Sequence, residues 1–263
     1  MNTSKPWWGE FAFDIDEVRA WSLAERRIVV QRTATEWNTW NVEADEQLLL
    51  PPVAVTPYKI QNLPDKVVVE RYLFRQTGKG LLVKPALADR PVITRPINTL
   101  TIMPGEAIRL YISTPLWMQL LTLPGKTCFL DVPFWRPSDS WFGPSTIEGE
   151  LCYSKHTDAR VQLETIEKRP HRAITPVNVL NKSSDPLIID RINLPVPMLS
   201  LFAADDSFWT EAINVNRSAD DDTADLHLEK RAPKEAGNTI KVAQPREAVS
   251  KRHLIRALSS LFA

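Results

Sequence analysis

The spacing of apolar and polar residues predicts short β-strands along most of the chain. Val18–Leu23 and Arg27–Thr33 hold aromatic or β-branched residues at strand-like spacing. The clearest strand is Lys66–Gln76, whose apolar residues fall on both faces at a period of two, so we expect both faces to be covered. Trp37 and Trp40 fit either a strand or a helix, and we interpret their region as irregular.

The densest chemistry lies between two further predicted strands, Cys128–Val132 and Glu150–Ser154. The connection between them, Pro133–Gly149, contains three Pro, two Gly, two Trp and two Phe. A connection of this length is uncommon unless it is functional or disordered. Because Trp and Phe are large apolar side chains that favour burial, we expect an ordered loop, either a binding site or a structural joint.

Residues 96–121 align without gaps to residues 176–201. Eight positions are identical, where chance would supply about two. The matches are Pro96/Pro176, Asn98/Asn178, Leu100/Leu180, Ile108/Ile188, Ile112/Ile192, Pro115/Pro195, Met118/Met198 and Leu121/Leu201. The alignment predicts a repeated strand-turn-strand unit and two similar β modules packed about a pseudo-twofold axis. The alternative is coincidence between two proline-rich hairpins.

The last part of the chain has a different character. Residues 216–225 form a polar, acidic stretch, and Leu226–Lys230 with Thr239–Ala243 are predicted to form a final hairpin. Pro245 opens the single convincing helix, since proline is tolerated in a first helical turn. This helix is basic and amphipathic, and we expect it to dock on its own domain or on another copy of the chain.

These elements predict an all-β fold of two related sandwich-like or barrel-like modules fused into one compact unit, with a C-terminal amphipathic helix. The 263 residues include 21 Pro, which interrupt helices in most of the chain before Pro245. The predicted boundaries place one module at 1–125, a second at 126–215 and the acidic loop, hairpin and helix at 216–263.

Charge and hydropathy narrow the possible partners. The chain has 32 basic and 32 acidic residues, so a surface that neutralises nucleic-acid phosphates is not indicated. No apolar stretch reaches the roughly 18 residues of a membrane span, and the N-terminus lacks the pattern of an export signal. We therefore expect a cytoplasmic protein whose partner is a protein or a small molecule, with a homodimer as a further possibility.

Cys128 and Cys152 are equidistant from Ser140, so symmetric pairing of the flanking strands would place their thiols nearly opposite one another. A disulfide is one interpretation; two reduced, packed thiols are the preferred one, because cytosolic cysteines stay reduced. The spacing of Cys and His predicts no metal site and no cofactor. We interpret the histidines as ordinary exposed or hydrogen-bonded residues: His156, His171, His227 and His253.

Catalytic motifs were sought among carboxylates, nucleophiles and phosphate-binding loops. Asp139, Glu148 and Glu150 lie near two Trp, a combination that glycosidases use, although acidic residues beside a loop are usually only solvated. The sequence has no serine in a nucleophile elbow and no phosphate-binding loop motif. Gly78-Lys79-Gly80 is interpreted as a hairpin turn. No residue is therefore assigned a catalytic role.

The candidate binding residues lie in the central connection: Trp135, Arg136, Asp139 and Trp141. Trp and Arg are enriched at binding hot spots, and long loops on a rigid scaffold often carry function. Arg136 has two interpretations. It would hold the loop by pairing with Asp139 or Glu150, which is preferred, or present its guanidinium to an external carboxylate or phosphate.

Two stretches resemble the DUF432 family of archaeal and bacterial proteins: RPSDSWFGPSTIEGELCYS and ITPVNVLNKSSDPLIIDRINLPVPMLSL. The resemblance covers Trp7 to about Trp209 and is most specific from Arg136 to Tyr153. It implies a β-rich domain, and it implies no activity, cofactor or catalytic residue.

The sequence thus favours a non-enzymatic binding protein with its recognition surface near Pro133–Gly149. One alternative is a carboxylate enzyme of undescribed type, a hydrolase acting on a sugar or another polar substrate. It requires two of the candidate carboxylates, which include Asp158, to converge in one cleft. A second alternative is a structural subunit of a larger assembly, which requires a contiguous apolar patch.

Overall fold

A computed structural model describes residues 6–23, 26–43, 53–135, 137–143, 147, 149–217 and 224–248, with the backbone alone at 23, 53–54 and 155–158. The prediction of an all-β chain is confirmed, because these residues form 22 strands and four short 3-10 turns but no α-helix. No helix in these ranges is long and apolar enough to cross a membrane.

The strands, in chain order, begin with β1 Gly9–Ala12, β2 Val18–Leu23, β3 Arg26–Arg32, β4 Glu36–Glu43, β5 Val53–Pro57, β6 Val69–Leu73, β7 Gly80–Ala86, β8 Val92–Pro96, β9 Leu100–Ile102, β10 Ala107–Pro115 and β11 Trp117–Thr122. They continue with β12 Cys128–Pro133, β13 Ser138–Phe142, β14 Glu150–Arg160, β15 Arg172–Asn181, β16 Leu187–Ile189, β17 Ile192–Leu194, β18 Leu201–Ala203, β19 Phe208–Thr210, β20 Ile213–Arg217, β21 Ala224–Leu228 and β22 Ile240–Ala243. The 3-10 turns are Ile60–Asn62, Leu163–Thr165, Val196–Met198 and Lys234–Ala236.

The chain divides into two compact units that are each discontinuous in sequence. The first contains residues 1–86 and 116–135, and the second contains residues 87–115 and 136–263. The predicted modules at 1–125 and 126–215 are continuous segments, so their boundaries differ from this division.

The first unit contains a four-stranded sheet, β1-β7-β11-β12, and a five-stranded sheet, β5-β2-β3-β4-β6. Its core joins aromatic side chains of both sheets. Phe11 of β1 lies 5.2 Å from Trp21 of β2 between ring centroids, and Trp37 of β4 stacks 6.3 Å from Phe129 of β12. Both Trp side chains are fully buried, so they contribute a large apolar area to this core.

The second unit contains an 11-stranded sheet and the two-stranded sheet β16-β9. The main path of the large sheet runs β17-β8-β14-β10-β15-β19-β18-β22, with β13 paired to β14 and the β20–β21 pair joined to β15. On one face of its centre, residues at alternate positions are buried and apolar. They include Leu110, Val177, Val179, Ile213 and Val215. The residues between them face the other side of the sheet.

The two segments of the predicted repeat contribute strands that pair within the second unit, because β10 pairs with β15. Ile112 of β10 pairs with Thr175 of β15. Exchanging these partners by the 80-residue offset gives Ile192 opposite Arg95, and β17 pairs Ile192 with Thr94, one residue away. The observed register is therefore offset by one residue from an exact twofold exchange, and the sequence repeat stays a prediction.

Two local predictions in the first unit are wrong. The region of Trp37 and Trp40 is not irregular but forms β4, which pairs with both β3 and β6. The strand predicted at 66–76 is limited to β6, and its faces are not both covered: Val68 and Leu73 are more than 70% exposed, at 78% and 73%.

Two further predictions concern the last segment. The hairpin of Leu226–Lys230 with Thr239–Ala243 does not form, because β21 pairs with β20 and β22 pairs with β18. Each strand therefore completes a ladder begun earlier in the chain. The predicted amphipathic helix falls mainly on residues 249–263, which lie outside the described residues.

Candidate functional site

The connection Pro133–Gly149 is not one continuous loop, because Ser138–Phe142 forms strand β13. This strand pairs antiparallel with β14, with Asp139 opposite Tyr153 and Trp141 opposite Leu151. These four residues share one face of the ladder, since side chains alternate along a strand. Of the four candidate binding residues, the structure therefore brings Asp139 and Trp141 together.

Trp141 and Leu151 form an exposed apolar pair on this face. Their side chains are 47% and 45% exposed, although cross-strand partners lie close enough to contact each other. The Trp141 indole packs closely over Gly149: a Cβ added there would lie 2.7 Å from Nε1 and 2.6 Å from the carbonyl oxygen of Phe142. Glycine at 149 thus allows the indole to approach the backbone closely.

A charged pair borders the apolar pair. The Arg90 guanidinium donates to Asp139 Oδ1 at 2.8 Å and lies 5.4 Å from the centroid of the Tyr153 ring. The Tyr153 hydroxyl donates to Asp89 Oδ1 at 2.9 Å. Arg90 is therefore held between a carboxylate and an aromatic ring, and its charge is balanced locally.

We use the name Trp141 surface for Arg90, Asp139, Trp141 and Leu151. Sequence reasoning missed Leu151, which the β13–β14 pairing places opposite Trp141, and Arg90, which contacts Asp139. The sequence carries one signal for Leu151: in the predicted strand Glu150–Ser154, the apolar residues at 151 and 153 are spaced at a period of two and so share a face.

The opposite face of the same ladder is buried, and its cysteine is unreactive. Phe142 and Cys152 pack with Ile93 in an apolar cluster, and the buried Asn193 amide donates to Glu150 Oε1 at 2.7 Å. Burial raises the pKa of the Cys152 thiol to about 12, with the nearby Glu150 charge as a smaller cause. This thiol is therefore protonated, and so a poor nucleophile, at neutral pH.

The remaining sequence candidates have separate positions. Trp135 is half-buried and belongs to the first unit, in which it closely follows β12. Arg136 lies outside the described residues, so its predicted pairing with Asp139 or Glu150 stays a prediction.

The carboxylate hypothesis is weakened by the register of β13 and β14. Glu150 lies opposite Phe142, so it faces the side of the ladder away from Asp139 and Trp141. These two carboxylates do not converge. Glu148 and the side chain of Asp158 lie outside the described residues.

Cys128 and Cys152 are both thiols, and they do not face each other across one hairpin. Cys128 pairs with Leu121 in the β11–β12 ladder, whereas Cys152 pairs with Ser140. The premise that their two strands flank a simple loop is therefore wrong. Within the ranges given above, no group of three His, Cys, Asp or Glu side chains is placed to hold a metal ion.

A second polar feature, on β10, β15, β20 and β21, was missed entirely. Arg109, Asn178, Asn214 and His227 are consecutive partners across these four strands. A sequence signal exists, because asparagine is depleted in strands and yet occurs at Asn178 and Asn214 among β-branched neighbours.

The fold and the surface together define an all-β protein with an exposed apolar pair, Trp141 and Leu151, where β13 joins β14 of a large mixed sheet. The chain belongs to the DUF432 family, described as "Protein of unknown function", whose profile matches residues 7–262. This match confirms the resemblance found in the sequence and extends it beyond Trp209. Neither a comparison with curated proteins nor one with solved structures found a match.

Proposed function

We propose that this chain is a non-enzymatic binding protein that contacts a protein partner through the Trp141 surface. One observation carries the proposal: Trp141 and Leu151 are cross-strand partners and are both nearly half exposed. Single exposed apolar residues are ordinary on protein surfaces. Two large ones placed directly opposite each other leave a contiguous apolar area in water, which a partner would bury.

The composition of the surface supports a protein as the partner. Trp, Tyr and Arg dominate the binding free energy of protein interfaces, and a polar rim around an apolar centre is their usual arrangement. Here the Arg90–Asp139 pair supplies the rim beside Trp141. Because this pair is neutral as a whole, we expect an uncharged apolar side chain of the partner to contact the indole.

The surface is also held in place before binding. The contact of the indole with Gly149 restricts Trp141, and Asp139 and the Tyr153 ring restrict Arg90. Side chains that are ordered in the free protein lose less entropy on association. Preorganisation of this kind favours a binding role over an accidental exposure.

For the scaffold, we infer two related sandwich-like modules. The pairing between the two segments of the predicted repeat and the contact between aromatic residues of two sheets in the first unit support this inference. The carboxylate enzyme is less well supported, because Asp139 and Glu150 face opposite sides of one ladder. A structural subunit, including a homodimer, would use the same surface and is an outcome of the test below.

The first step of the test is affinity capture from the protein's own cells with the wild type, Trp141→Ala and Ile188→Ala. Ile188 is an exposed apolar strand residue of the same unit, at 61%, and so provides a matched control. We expect at least one protein to be captured by the wild type and by Ile188→Ala but not by Trp141→Ala. If the captured protein is a second copy of this chain, the Trp141 surface forms a homodimer.

The second step uses the purified captured protein and the full chain labelled with 5-fluorotryptophan. The fluorine resonance of residue 141 is assigned with Trp141→Phe. We expect this resonance to shift on addition of the partner, while resonances of buried Trp21 and Trp37 stay in place. Equal capture by all three proteins, or an unchanged Trp141 resonance in the complex, would exclude the Trp141 surface as the interface.

A further inference from the structure

A row of polar side chains crosses four strands of the second unit. Arg109 of β10 lies opposite Asn178 of β15, Asn178 lies opposite Asn214 of β20, and Asn214 lies opposite His227 of β21. We call these four residues the polar row. It spans three inter-strand steps of ~4.8 Å, or about 14 Å.

The centre of the row is a continuous chain of hydrogen bonds. Arg109 donates to Asn178 Oδ1 at 2.9 Å, and Asn178 Nδ2 donates to Asn214 Oδ1 at 2.6 Å. Asn214 Nδ2 then donates to Glu229 Oε1 at 3.3 Å. At the other end, the Arg109 guanidinium lies 2.8 Å from Glu235 Oε1. A carboxylate therefore fixes each end of the chain, and the two amides are held in defined orientations.

The sheet does not need asparagine at these positions. The opposite face of the same strands is buried and largely apolar, with Thr114, Thr175 and Asn181 as buried polar residues, whereas Asn178 and Asn214 are half-buried. Asparagine lowers strand stability relative to threonine or valine, and it does so here in two adjacent strands. A stability cost at two paired positions is more readily explained by recognition than by folding.

The row has hydrogen-bonding groups left for a ligand. An amide side chain can donate twice and accept twice. Among the hydrogen bonds of the described residues, Asn178 and Asn214 each use one donated and one accepted bond. Each amide thus keeps one N–H and one lone pair, so donors and acceptors alternate along the row.

Charge narrows the ligand class. The Arg109 charge is balanced by Glu235, and Glu229 adds a negative charge at the other end. Phosphates and other anions are therefore disfavoured. The two carboxylates stand at opposite ends of the hydrogen-bonded chain, and no group of three or more described His, Cys, Asp or Glu side chains is placed to hold a metal ion. A neutral ligand with groups that both donate and accept fits best.

Two neutral ligand classes have such groups, saccharides and peptides. The centre of a protein interface is usually apolar, and the two large residues that flank the row, Tyr111 and Pro176, are buried. A surface that is polar throughout favours hydroxyl groups. Its length of about 14 Å exceeds one sugar ring and suits several linked sugars.

We propose that the polar row, with Glu229 and Glu235, binds a neutral oligosaccharide. Asn178 and Asn214 contact hydroxyl groups at the centre, and the two carboxylates accept hydrogen bonds from hydroxyl groups at the ends. This site is independent of the Trp141 surface and of the protein partner proposed for it.

The test is an NMR titration of the full-length, 15N-labelled chain with three probes: cellotetraose, maltotetraose and mannotetraose. We expect at least one probe to shift the side-chain amide resonances of Asn178 and Asn214. Asn214→Ala and the isosteric Glu229→Gln should each weaken that binding about tenfold, as expected for a lost hydrogen bond of about 1.4 kcal/mol. Both variants are checked for wild-type-like spectra, and Glu229→Gln keeps the shape of the side chain.

The matched control is Asn41→Ala, which removes an exposed asparagine from strand β4 of the first unit and should leave sugar affinity unchanged. A neutral peptide, (Ala-Gly-Ser)3, serves as the competing probe. The proposal would be overturned if none of the three sugars shifts the side-chain amide resonances of Asn178 and Asn214, or if the peptide shifts them instead. Full sugar affinity in both variants would also overturn it.

Discussion

Gly78 lies against the main-chain carbonyl of Leu123, so closely that a Cβ at position 78 would be 1.9 Å from that oxygen. The next residue is also fixed, because the Phe13 amide donates to the carbonyl oxygen of Lys79 at 2.9 Å. The segment Gly78-Lys79-Gly80 is therefore held by two other main-chain segments of the first unit. This accounts for glycine at position 78 by packing, without a phosphate ligand.

Gly78→Ala should destabilise the protein strongly. The new methyl group overlaps a main-chain oxygen, which moves only if β7 or the segment at Leu123 shifts, and we expect a loss of about 3 kcal/mol or more. Gly125→Ala is the matched control, because its nearest atom would be a side-chain oxygen at 3.6 Å; we expect a change below about 1 kcal/mol. Urea unfolding measures both, and equal losses would contradict the packing argument.

Arg32 is a buried cation that links three segments of the first unit. Its guanidinium donates to the carbonyl oxygen of Phe13 at 2.8 Å, and to the hydroxyl and carbonyl oxygens of Thr77, each at 3.1 Å. Its exposed fraction is only 7%. The side chain therefore satisfies acceptors that water does not reach.

Arg32→Met keeps the apolar stem but leaves these acceptors without their donor. We expect the free energy of unfolding to fall by about 2–4 kcal/mol, because a buried, unsatisfied carbonyl retains its full desolvation penalty. Arg71→Met removes an arginine from the exposed Arg71–Glu36 pair and should leave stability unchanged within the error of a urea titration. Similar losses in the two variants would show that the buried hydrogen bonds contribute little.

Strands were predicted best where the local pattern alone specifies them. Val18–Leu23 matches β2 residue for residue, and Arg27–Thr33 is displaced from β3 by one residue. Both lie in a sequential antiparallel arrangement in which neighbouring segments pair. Local alternation is then sufficient, because the partner strand is also local.

The failures at β13, β21 and β22 share a non-local cause. The sequence predicts a loop at β13 because Pro137 and Gly143 bracket only five strand residues, but pairing with β14 decides its conformation. β21 and β22 were read as one hairpin, although each pairs with an earlier strand. Proximity in sequence did not identify the partner, and side-chain alternation does not identify it either.

The candidate site was predictable only in part for the same reason. Composition identified Trp141 and Asp139, since Trp and charged residues in one short segment stand out in any sequence. Their neighbours Leu151 and Arg90 depend on which strands pair, and so does the alignment of Arg109, Asn178 and Asn214. Residue type therefore indicated candidates, and strand register decided which of them meet.

The two cysteines should differ sharply in reactivity. Cys128 is exposed, whereas Cys152 is fully buried and burial raises the pKa of its thiol to about 12. We expect iodoacetamide at neutral pH to modify the native protein once, at Cys128, and Cys128→Ser not at all. Mass spectrometry counts the additions, and unfolding in guanidinium should allow a second one. Modification of Cys152 in the native protein would show that its cluster opens readily.

Glu211 is a buried carboxylate in the second unit. Burial raises the pKa of this group above its ordinary value of 4.5, and the Ser200 amide, which donates to Oε2 at 2.7 Å, opposes the shift only in part. Ser200 Oγ also donates to Glu211 Oε1, at 3.4 Å, and the ammonium group of Lys241 donates to that hydroxyl at 3.2 Å. The charged form is therefore disfavoured by folding.

Glu211→Gln should flatten the pH dependence of stability. Between pH 4.5 and the raised pKa, the folded protein holds a proton that the unfolded chain has released, so wild-type stability is full below 4.5 and falls as pH rises through this interval. Glutamine keeps an acceptor for the Ser200 amide and does not ionise, so the variant should be more stable than the wild type at neutral pH. Urea unfolding from about pH 4 to about pH 8 measures the difference. The control Glu106→Gln, at an exposed position, should keep the wild-type slope, and a Glu211→Gln protein with that same slope would contradict the assignment.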